Sequence, residues 1–458
     1  MMKSKQKESK FPSMKERIAY TRECAAKHCP VMKGVDPSIS FVIDSNVAKR
    51  ILEEHELKSY DSDEDLAGDC QYANLYKPPK PRKLLDCALT NVNGDVWKRQ
   101  RYCISRAFAV PKKMREKWSI FAAKKFLDAL SKDQSSNSRG SGGKKKLLSF
   151  CSMKCKKKGV DIRKVSKEVA VCTLLVAVLG EEYGTRKDLI EALSLMFLDN
   201  LEPRRDEECS LETKQIVTHI DTLIRCFIDN VASTPDQLQN DCLLQRLLRF
   251  EIENPSDNDN YLTRDEIVSN VFSALLAGSQ TICTTITGVF CFLAGRNDLQ
   301  LDLKIGNLTP KDVVQETLRI FPPVAGLPRF AADCELTIAK NDIRTEFEKS
   351  QVFIIDLLAF AHSGCSESLE FHPEETKDSQ AQPWGIGKRK CPAGIISLDC
   401  ISKVLSSIAN EYTWTFLNEK THFKDRYGSG GWIEDIQYRP TLQFPCELRL
   451  QFSRHDEE

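Results

Sequence analysis

The stretch that decides the fold is Trp384-Gly-Ile-Gly-Lys-Arg-Lys-Cys-Pro-Ala-Gly394. Gly385 and Gly387 allow a backbone turn that residues carrying a Cβ would resist. Beyond it, apolar residues recur at spacings of three and four from Ile395 to Ile408, a pattern that predicts a helix. Cys391 therefore lies on a tight loop before a helix N-terminus, where unpaired amides and the helix dipole favour a thiolate. Such a thiolate can act as a nucleophile or as a metal ligand.

This loop resembles the haem-binding loop of the cytochrome P450 family, whose pattern is aromatic-x-x-Gly-x-Arg-x-Cys-x-Gly. Trp384, Gly387, Arg389 and Cys391 match it. Ala393 stands where the family usually has glycine, and this substitution replaces one small residue with another. The alternative is a buried cysteine in a glycine-containing turn, and with 18 cysteines in the chain this alternative stays open.

A second match to the family lies in Trp97-Lys-Arg-Gln-Arg101. Positions four apart share a helix face, so Trp97 and Arg101 are expected to point the same way. The family uses such a Trp-x-x-x-Arg pair to hold a haem propionate, and an indole N–H and a guanidinium are both donors suited to a carboxylate. Any amphipathic helix can show the same pair, so this motif indicates haem binding only in combination with the Cys391 loop. Arg329 is interpreted as another propionate contact from its position alone.

Residues 268–295 carry no charge and are long enough to cross a bilayer. Serines and threonines in the middle of this stretch favour a long helix buried in a globular protein instead. Ala277-Gly-Ser-Gln-Thr281 is similar to the family's Ala/Gly-Gly-x-Asp/Glu-Thr, with matches at Ala277, Gly278 and Thr281. Small residues let a helix pass close to a flat ring, and a threonine hydroxyl can pass protons inward. The alternative is a helix whose small residues serve close packing.

Gln280 stands at the position of the family's acid. An amide can orient water, but it cannot ionise to shuttle protons at neutral pH. We therefore predict that oxygen activation is slower, or less tightly coupled to product, than it would be with a carboxylate.

Thr309-Pro310 is a helix start, with an N-cap followed by proline at the first position. Glu316 and Arg319 lie three apart in this helix and resemble the family's structural Glu-x-x-Arg pair. The family completes the pair with an arginine from a later Phe-x-Pro-Glu-Arg segment, but Phe371-His-Pro-Glu-Glu375 has a glutamate there. Two carboxylates and one guanidinium would form an unbalanced cluster if they were buried together.

The composition sets limits on compartment and partners. Lysine and arginine number 66 against 65 acidic residues, a net charge of +1, so no overall bias toward nucleic acid exists. Eighteen cysteines without a short repeating framework suit a reducing compartment. Residues 1–37 form a charged segment that predicts neither a signal peptide nor a membrane anchor. We therefore expect a cytoplasmic protein, or one at the cytoplasmic face of the endoplasmic reticulum membrane through peripheral contact.

The motifs lie far apart but would meet at one cofactor, which predicts a single domain over residues 38–458. Residues 132–159 form a low-complexity Ser/Gly/Lys segment, interpreted as an insertion between two helices. The resemblance implies a mainly α fold with small peripheral β-sheets, the P450-like haem-thiolate fold. Haem b would lie between the uncharged helix and the Cys391 loop.

The resemblance also implies a function, that of a haem-thiolate monooxygenase. Such an oxidoreductase inserts one oxygen atom of O2 into an apolar small molecule, using NADPH-derived electrons from a reductase or a ferredoxin-type donor. Cys391 would be the axial ligand of the haem iron, and Thr281 would deliver protons. An acidic electron donor would suit a basic proximal face. That face would be formed by Lys98, Arg99, Lys388 and Lys390.

Two alternative functions stay open. One is a haem-thiolate isomerase or lyase that acts on a peroxide without external electrons, which Gln280 favours and Thr281 disfavours. The other is a degenerate, non-catalytic haem-binding relative, a reading supported by the departures at Gln280, Glu375 and Ala393.

Overall fold

The computed structural model describes residues 31–33, 40–54, 85, 87–138, 159–198, 211–233, 242–253, 261–330, 336–340, 343–347, 352–357, 371–374, 381–417 and 448–455. In this part of the chain the fold is mainly helical with small β-sheets, which confirms the predicted fold class.

Helices make up most of the described chain, and they are numbered in chain order. They are α1 (Ser45–Glu54), α2 (Gly94–Phe108), α3 (Lys112–Ser138), α4 (Ile162–Leu179), α5 (Lys187–Leu198), α6 (Leu211–Ser233), α7 (Leu243–Glu253), α8 (Arg264–Leu293), α9 (Asn297–Ile305), α10 (Pro310–Ile320) and α11 (Gly394–Glu411). A short 3-10 helix, Glu181–Thr185, follows α4.

Three small sheets accompany the helices. Their strands are β1 (Val31–Lys33), β2 (Ser40–Val42), β3 (Val160–Asp161), β4 (Gly326–Phe330), β5 (Leu336–Lys340), β6 (Ile343–Phe347), β7 (Val352–Asp356), β8 (Tyr412–Phe416) and β9 (Arg449–Arg454). The sheet orders are β1-β2-β7-β4, β3-β9-β8 and β5-β6. β2 runs parallel to β7, with Ser40 opposite Phe353, and the remaining pairs are antiparallel.

The chain divides into two compact units. The first unit holds the described residues up to 54 and those from 318 to 390. Its core joins the sheet to α1 through Val42, Leu52, Phe353 and Ile355, which are almost fully buried. Burial of these side chains is the main force that holds α1 on the sheet.

The second unit holds the described residues from 85 to 317, from 391 to 417 and from 448 to 455. In it α8 packs against α4, and α11 packs against α3 and α8. Phe126 of α3 stacks on Phe290 of α8, with ring centroids 4.7 Å apart. Trp414 of β8 lies 5.0 Å from the same ring, and its Nε1 donates to the Phe290 carbonyl at 3.0 Å. This aromatic cluster joins three elements far apart in sequence.

The uncharged helix predicted from residue 268 begins four residues earlier, at Arg264. Thr263 and Glu266 form a capping box there. Acidic side chains in the first turn stabilise the helix by interacting favourably with its dipole. By length and composition α8 could cross a membrane, but 67% of its apolar 18-residue stretch is buried inside the protein. That burial fits the predicted core helix of a globular protein.

Side-chain caps begin both α1 and α10, and the start of α10 at Pro310 confirms the prediction. α1 begins directly after an Asp44 cap, whose carboxylate accepts from the amide of Val47 at 3.0 Å. α10 begins at Pro310, and the Thr309 hydroxyl accepts from the Asp312 amide at 3.2 Å. α3 continues through Ser138, so the first residues of the predicted 132–159 insertion extend a helix. Most of the remainder of that segment, and most of residues 1–37, lie outside the described residues, and the single domain over 38–458 stays a prediction.

Candidate functional site

The loop before Cys391 forms a tight turn built on two glycines. Gly385 and Gly387 have φ angles of +71° and +73°, the left-handed region that favours glycine. The Gly385 amide donates to the Gln382 carbonyl at 2.9 Å, and the Lys390 amide donates to the Gly387 carbonyl at 3.1 Å. Ile386 packs against the core of the first unit. The turn predicted from the two glycines is therefore present.

Cys391 is exposed and precedes α11 by three residues. The N-cap of α11 is Ala393, which has no side-chain acceptor to offer the amides of the first turn. The Ser397 hydroxyl donates to the Ala393 carbonyl at 2.6 Å and fixes the start of the helix. An exposed thiol beside a helix N-terminus without a side-chain cap is in a setting that favours the thiolate.

Two other cysteines of the second unit provide a contrast. Cys283 on α8 and Cys400 on α11 are buried, and burial raises the pKa of each thiol to about 11. Both are therefore protonated at neutral pH and suited to packing. The alternative reading of Cys391 required a buried cysteine of this kind, whereas Cys391 is exposed.

The middle of α8 opens to solvent where the sequence motif lies. Residues 266–272 and 282–291 are buried without interruption. Between them Ala277 is exposed, and Gln280 and Thr281 are half-buried. Ala277 and Thr281 are four apart and so share one face of the helix. Between its two buried stretches α8 therefore presents a methyl group and a hydroxyl together.

The Thr281 hydroxyl is bonded to its own helix. Its Oγ1 donates to the Ala277 carbonyl at 2.9 Å, with the Gly278 carbonyl at 3.2 Å. The Thr281 carbonyl in turn accepts from the Thr285 hydroxyl at 2.8 Å. Because the hydroxyl hydrogen points at the Ala277 carbonyl, the lone pairs of Thr281 Oγ1 point away from it. The hydroxyl must rotate before it can donate to anything beyond the helix.

Gly278 has a packing partner. A Cβ at this position would lie 3.0 Å from Leu174 Cδ1 and Cδ2 on α4. The missing side chain thus lets α8 lie close to α4. Ala277 and Thr281 lie on the open face, whereas Gly278 contributes to helix packing. A role for Gly278 beside a flat ring stays a prediction.

Trp97 and Arg101 share a face of α2, as predicted, and both side chains are half-buried. α2 is bonded to α8 through Asn270, whose Nδ2 donates to Gln100 Oε1 at 3.0 Å. The second unit contains the predicted site residues of α2 and α8 and the predicted thiolate. They are Trp97, Arg101, Ala277, Gly278, Gln280, Thr281 and Cys391.

Of the remaining predicted residues, Glu316 belongs to the second unit, and Arg319, Arg329, Trp384 and Arg389 belong to the first. Arg319 follows Glu316 on α10, and the side chains are 8% and 2% exposed, so neither belongs to a surface ion pair. Arg329 is half-buried on β4, and Trp384 and Arg389 are half-buried in the loop. Their roles toward a cofactor stay predictions. Glu375, the departure from the arginine pattern, lies outside the described residues.

The expected basic face is weaker than the sequence suggests. Arg99 turns inward, and its Nη1 donates to the Glu266 carboxylate at 2.8 Å. Lys98 pairs with Asp95 at 2.7 Å, although both side chains are largely exposed. Lys388 and Lys390 are exposed. A count of basic residues in sequence could not reveal which of them were already paired.

Sequence reasoning missed Asp399, which has no motif around it. Its carboxylate accepts from Arg115 Nε of α3 at 2.8 Å and lies 3.2 Å from Lys311 Nζ of α10. Burial alone would raise the pKa of Asp399, but the hydrogen bonds from Arg115 and Lys311 outweigh burial and lower it. α11, the helix that Cys391 precedes, is thus fixed by two other helices.

The family model described as Cytochrome P450 matches residues 59–304, more than half of the chain. The match ends before the Cys391 loop, so the loop motif is separate support for the same family. The chain is 24% identical over 191 residues to cytochrome P450 monooxygenase BOT4 of Botryotinia fuckeliana, covering 36% of each chain. It is 27% identical over 261 residues to probable cytochrome P450 28d1 of Drosophila melanogaster, covering 51% of this chain and 49% of that one. The chain spans from about a third to half of the length of these curated relatives.

Solved structures resemble the chain over nearly its whole length. The retinoic-acid-bound cyanobacterial CYP120A1 has a TM-score of 0.66 at 14% identity, over 94% of this chain and 93% of that one. A zebrafish cytochrome P450 with abiraterone has a TM-score of 0.68 at 15% identity, over 95% and 98%. At such identities the likeness shows the fold alone.

Proposed function

The chain belongs to the cytochrome P450 family, and we propose that it binds haem b through Cys391 and acts as a haem-thiolate monooxygenase. One observation carries the proposal. An exposed cysteine precedes the N-terminus of α11 in the same compact unit where α8 opens at Ala277 and Thr281. A thiolate ligand and an open helix face with a small residue and a hydroxyl are the two elements that such chemistry needs.

The residues present fit haem b in their donor types. Cys391 supplies a thiolate, the axial ligand that favours O–O cleavage. The Trp97 indole N–H and the Arg101 guanidinium are donors for a propionate carboxylate. Ala277 presents only a methyl group on the open face, which leaves room for a flat ring. When bound, haem would supply the activation of dioxygen; the chain supplies ligation, positioning and proton movement.

The geometry of α8 suggests how protons move. In the structure Thr281 Oγ1 donates to the Ala277 carbonyl. Rotation about its Cβ–Oγ1 bond would free the hydroxyl hydrogen to donate outward, and the carbonyl could then accept from a water molecule. Gln280, one residue earlier and half-buried, can orient that water but cannot release a proton. We therefore infer that the proton comes from solvent, and we expect this step to limit coupling.

The substrate class and the electron donor are the finer parts of the proposal. An apolar small molecule as substrate, and two electrons from NADPH through a reductase or ferredoxin-type donor, follow from the family. Exposed Lys388 and Lys390 support an acidic donor. The inward orientation of Arg99 removes it from that surface. Peripheral membrane contact and a cytoplasmic location are part of the same proposal.

The reduced, CO-bound absorption spectrum of the purified protein tests the proposal. We expect the band typical of thiolate ligation in the wild type, its loss in Cys391→Ala, and its retention in the matched control Cys226→Ala, which changes another exposed cysteine. A wild-type protein that binds haem without this band would instead support the degenerate relative. A band that survives in Cys391→Ala would refute ligation by Cys391.

Gln280 favours a second candidate, a haem-thiolate isomerase or lyase that needs no proton relay. Product formation from an organic hydroperoxide without reductase would support that candidate over the monooxygenase. Under the first proposal Gln280→Glu raises the product formed per NADPH oxidised, because a carboxylate can relay protons. No gain in this ratio would count against the predicted coupling defect.

A further inference from the structure

A buried carboxylate joins α2 to α8. Glu266 lies in the first turn of α8 and is 6% exposed. Arg99 of α2 donates to both of its oxygens, from Nη1 to Oε2 at 2.8 Å and from Nη2 to Oε1 at 2.5 Å. This two-point geometry fixes the direction as well as the distance of the guanidinium. The two residues are 167 positions apart in sequence.

Glu266 accepts two further hydrogen bonds. Gln100 Nε2 donates to Oε1 at 3.1 Å, and the Thr263 amide donates to Oε2 at 2.7 Å. Gln100 is itself fully buried and accepts from Asn270 Nδ2 at 3.0 Å. The lone pairs of the carboxylate are thus used by two adjacent residues of α2 and by the cap of α8.

The charge of this carboxylate is maintained despite burial. Burial raises the pKa of Glu266, but the hydrogen bonds from Arg99, Thr263 and Gln100 outweigh burial and lower it. A buried ion pair of this kind adds little net stability, but loss of one partner leaves an unpaired buried charge. Such a pair is better suited to fixing one geometry than to holding the fold together.

We propose that Glu266 is a positioning residue that fixes the rotation of α2 about its axis and so directs Trp97 and Arg101 toward a haem propionate. Consecutive residues of a helix point about 100° apart, so Arg99 and Gln100 hold α2 from two directions. A helix anchored through one residue can still rotate about its axis, whereas a helix anchored through two residues that point in different directions cannot. Arg101 follows Gln100 directly and Trp97 precedes it by three residues, so the contacts of Arg99 and Gln100 with Glu266 help to set their directions. Arg99 also donates to the Tyr261 carbonyl, and Gln100 Nε2 donates to the Cys87 carbonyl at 2.8 Å. The inference rests on the proposed haem binding.

Release of haem from the purified, loaded protein to an excess of apomyoglobin measures this role without turnover. We expect Glu266→Gln to release haem about tenfold faster, the scale seen when residues supporting a ligand are changed. The matched control is Asp265→Asn, its neighbour, whose carboxylate is largely exposed and bonds Arg225 at 2.8 Å. We expect the control to release haem at the wild-type rate.

A double-mutant cycle separates positioning from general support of the fold. Trp97→Phe combined with Arg101→Ala removes the donors that Glu266 is proposed to direct. In that background Glu266→Gln should add less than about twofold, because coupled sites are not additive. A full tenfold effect there, or a wild-type release rate in Glu266→Gln itself, overturns the inference.

The remaining outcomes distinguish the positioning role from the proposed function. If Glu266→Gln fails to fold by circular dichroism, Arg99→Lys decides: it keeps the charge but loses the two-point geometry, so an unchanged release rate overturns the inference. If the wild type forms no Cys391-dependent haem spectrum, the proposed function falls and the positioning role falls with it. A normal spectrum with a normal release rate in the variants removes only the positioning role.

Discussion

Arg115 Nε lies 2.8 Å from Asp399 Oδ2, and the two residues are 284 positions apart in sequence. Arg115 also donates from Nη1 to the Val110 carbonyl at 2.7 Å, so its guanidinium is held on both sides. With Lys311 at 3.2 Å, one carboxylate of α11 fixes that helix against α3 and α10. Because Cys391 precedes α11 by three residues, these contacts also help to fix the position of Cys391.

Arg115→Met should destabilise the protein by about 2 kcal/mol, because it leaves a partly buried Asp399 with Lys311 alone. Urea unfolding followed by circular dichroism measures this change. The matched control is Lys117→Met on the same helix, whose pair with Glu181 at 3.1 Å is exposed on both sides. For the control we expect less than about 1 kcal/mol. Equal losses in the two variants would contradict the role given to Arg115.

Stability should fall on acidification. The pKa values of Asp399 and Glu266 are lowered in the folded protein, so the unfolded chain binds protons more readily. The stabilisation is fully present above about pH 5, where the carboxylates of the unfolded chain are ionised, and is lost as pH falls through the lower folded pKa values.

Unfolding free energies measured between about pH 2 and pH 7 should show this slope, and Asp399→Asn should flatten it. The same variant should also lower stability at neutral pH, where the carboxylate is charged. An unchanged acid slope in Asp399→Asn would contradict the lowered pKa.

Thiol labelling should separate the cysteines. At neutral pH iodoacetamide should modify the exposed Cys391 and Cys226 in protein without haem. It should spare Cys283 and Cys400, whose buried thiols have a pKa near 11. Loading with haem should protect Cys391 and leave Cys226 reactive. Mass spectrometry of the peptides reads each site, and equal protection of both exposed thiols would contradict direct ligation.

The two small residues of α8 should respond differently to added volume. Gly278→Val should destabilise the protein by about 1–3 kcal/mol, because its side chain meets Leu174. Ala277→Val, one residue earlier on the open face, should change the unfolding free energy by less than about 1 kcal/mol. Its effect should appear in haem binding instead.

Chemical denaturation of each variant, and of Gly278→Val combined with Leu174→Ala, checks this division. The combination should recover part of the loss, since the contact is removed. If Leu174→Ala instead lowers the unfolding free energy by its full separate amount, contact with Leu174 is not the reason that a small residue is needed at position 278.

Local features of the fold could be predicted from sequence because their causes are local. Gly385 and Gly387 take the left-handed turn that their missing Cβ atoms permit. Thr309 and Pro310 begin a helix, since a cap and a first proline act only on adjacent amides. Apolar periodicity after Cys391 likewise predicted α11. The fold class and the family followed from the resemblance of the motifs at Trp97, Thr281, Glu316 and Cys391 to those of the family, and from their order.

The tertiary structure alone decided which partners these residues have. Arg99 was expected on a basic surface, but it turns inward to Glu266, 167 residues away. Gly278 was expected beside a ring, and the structure gives it a contact with Leu174 of another helix. Asp399 had no motif at all. Charge and size are written in the sequence, but their partners depend on which distant segments packing brings together, and no local pattern encodes that.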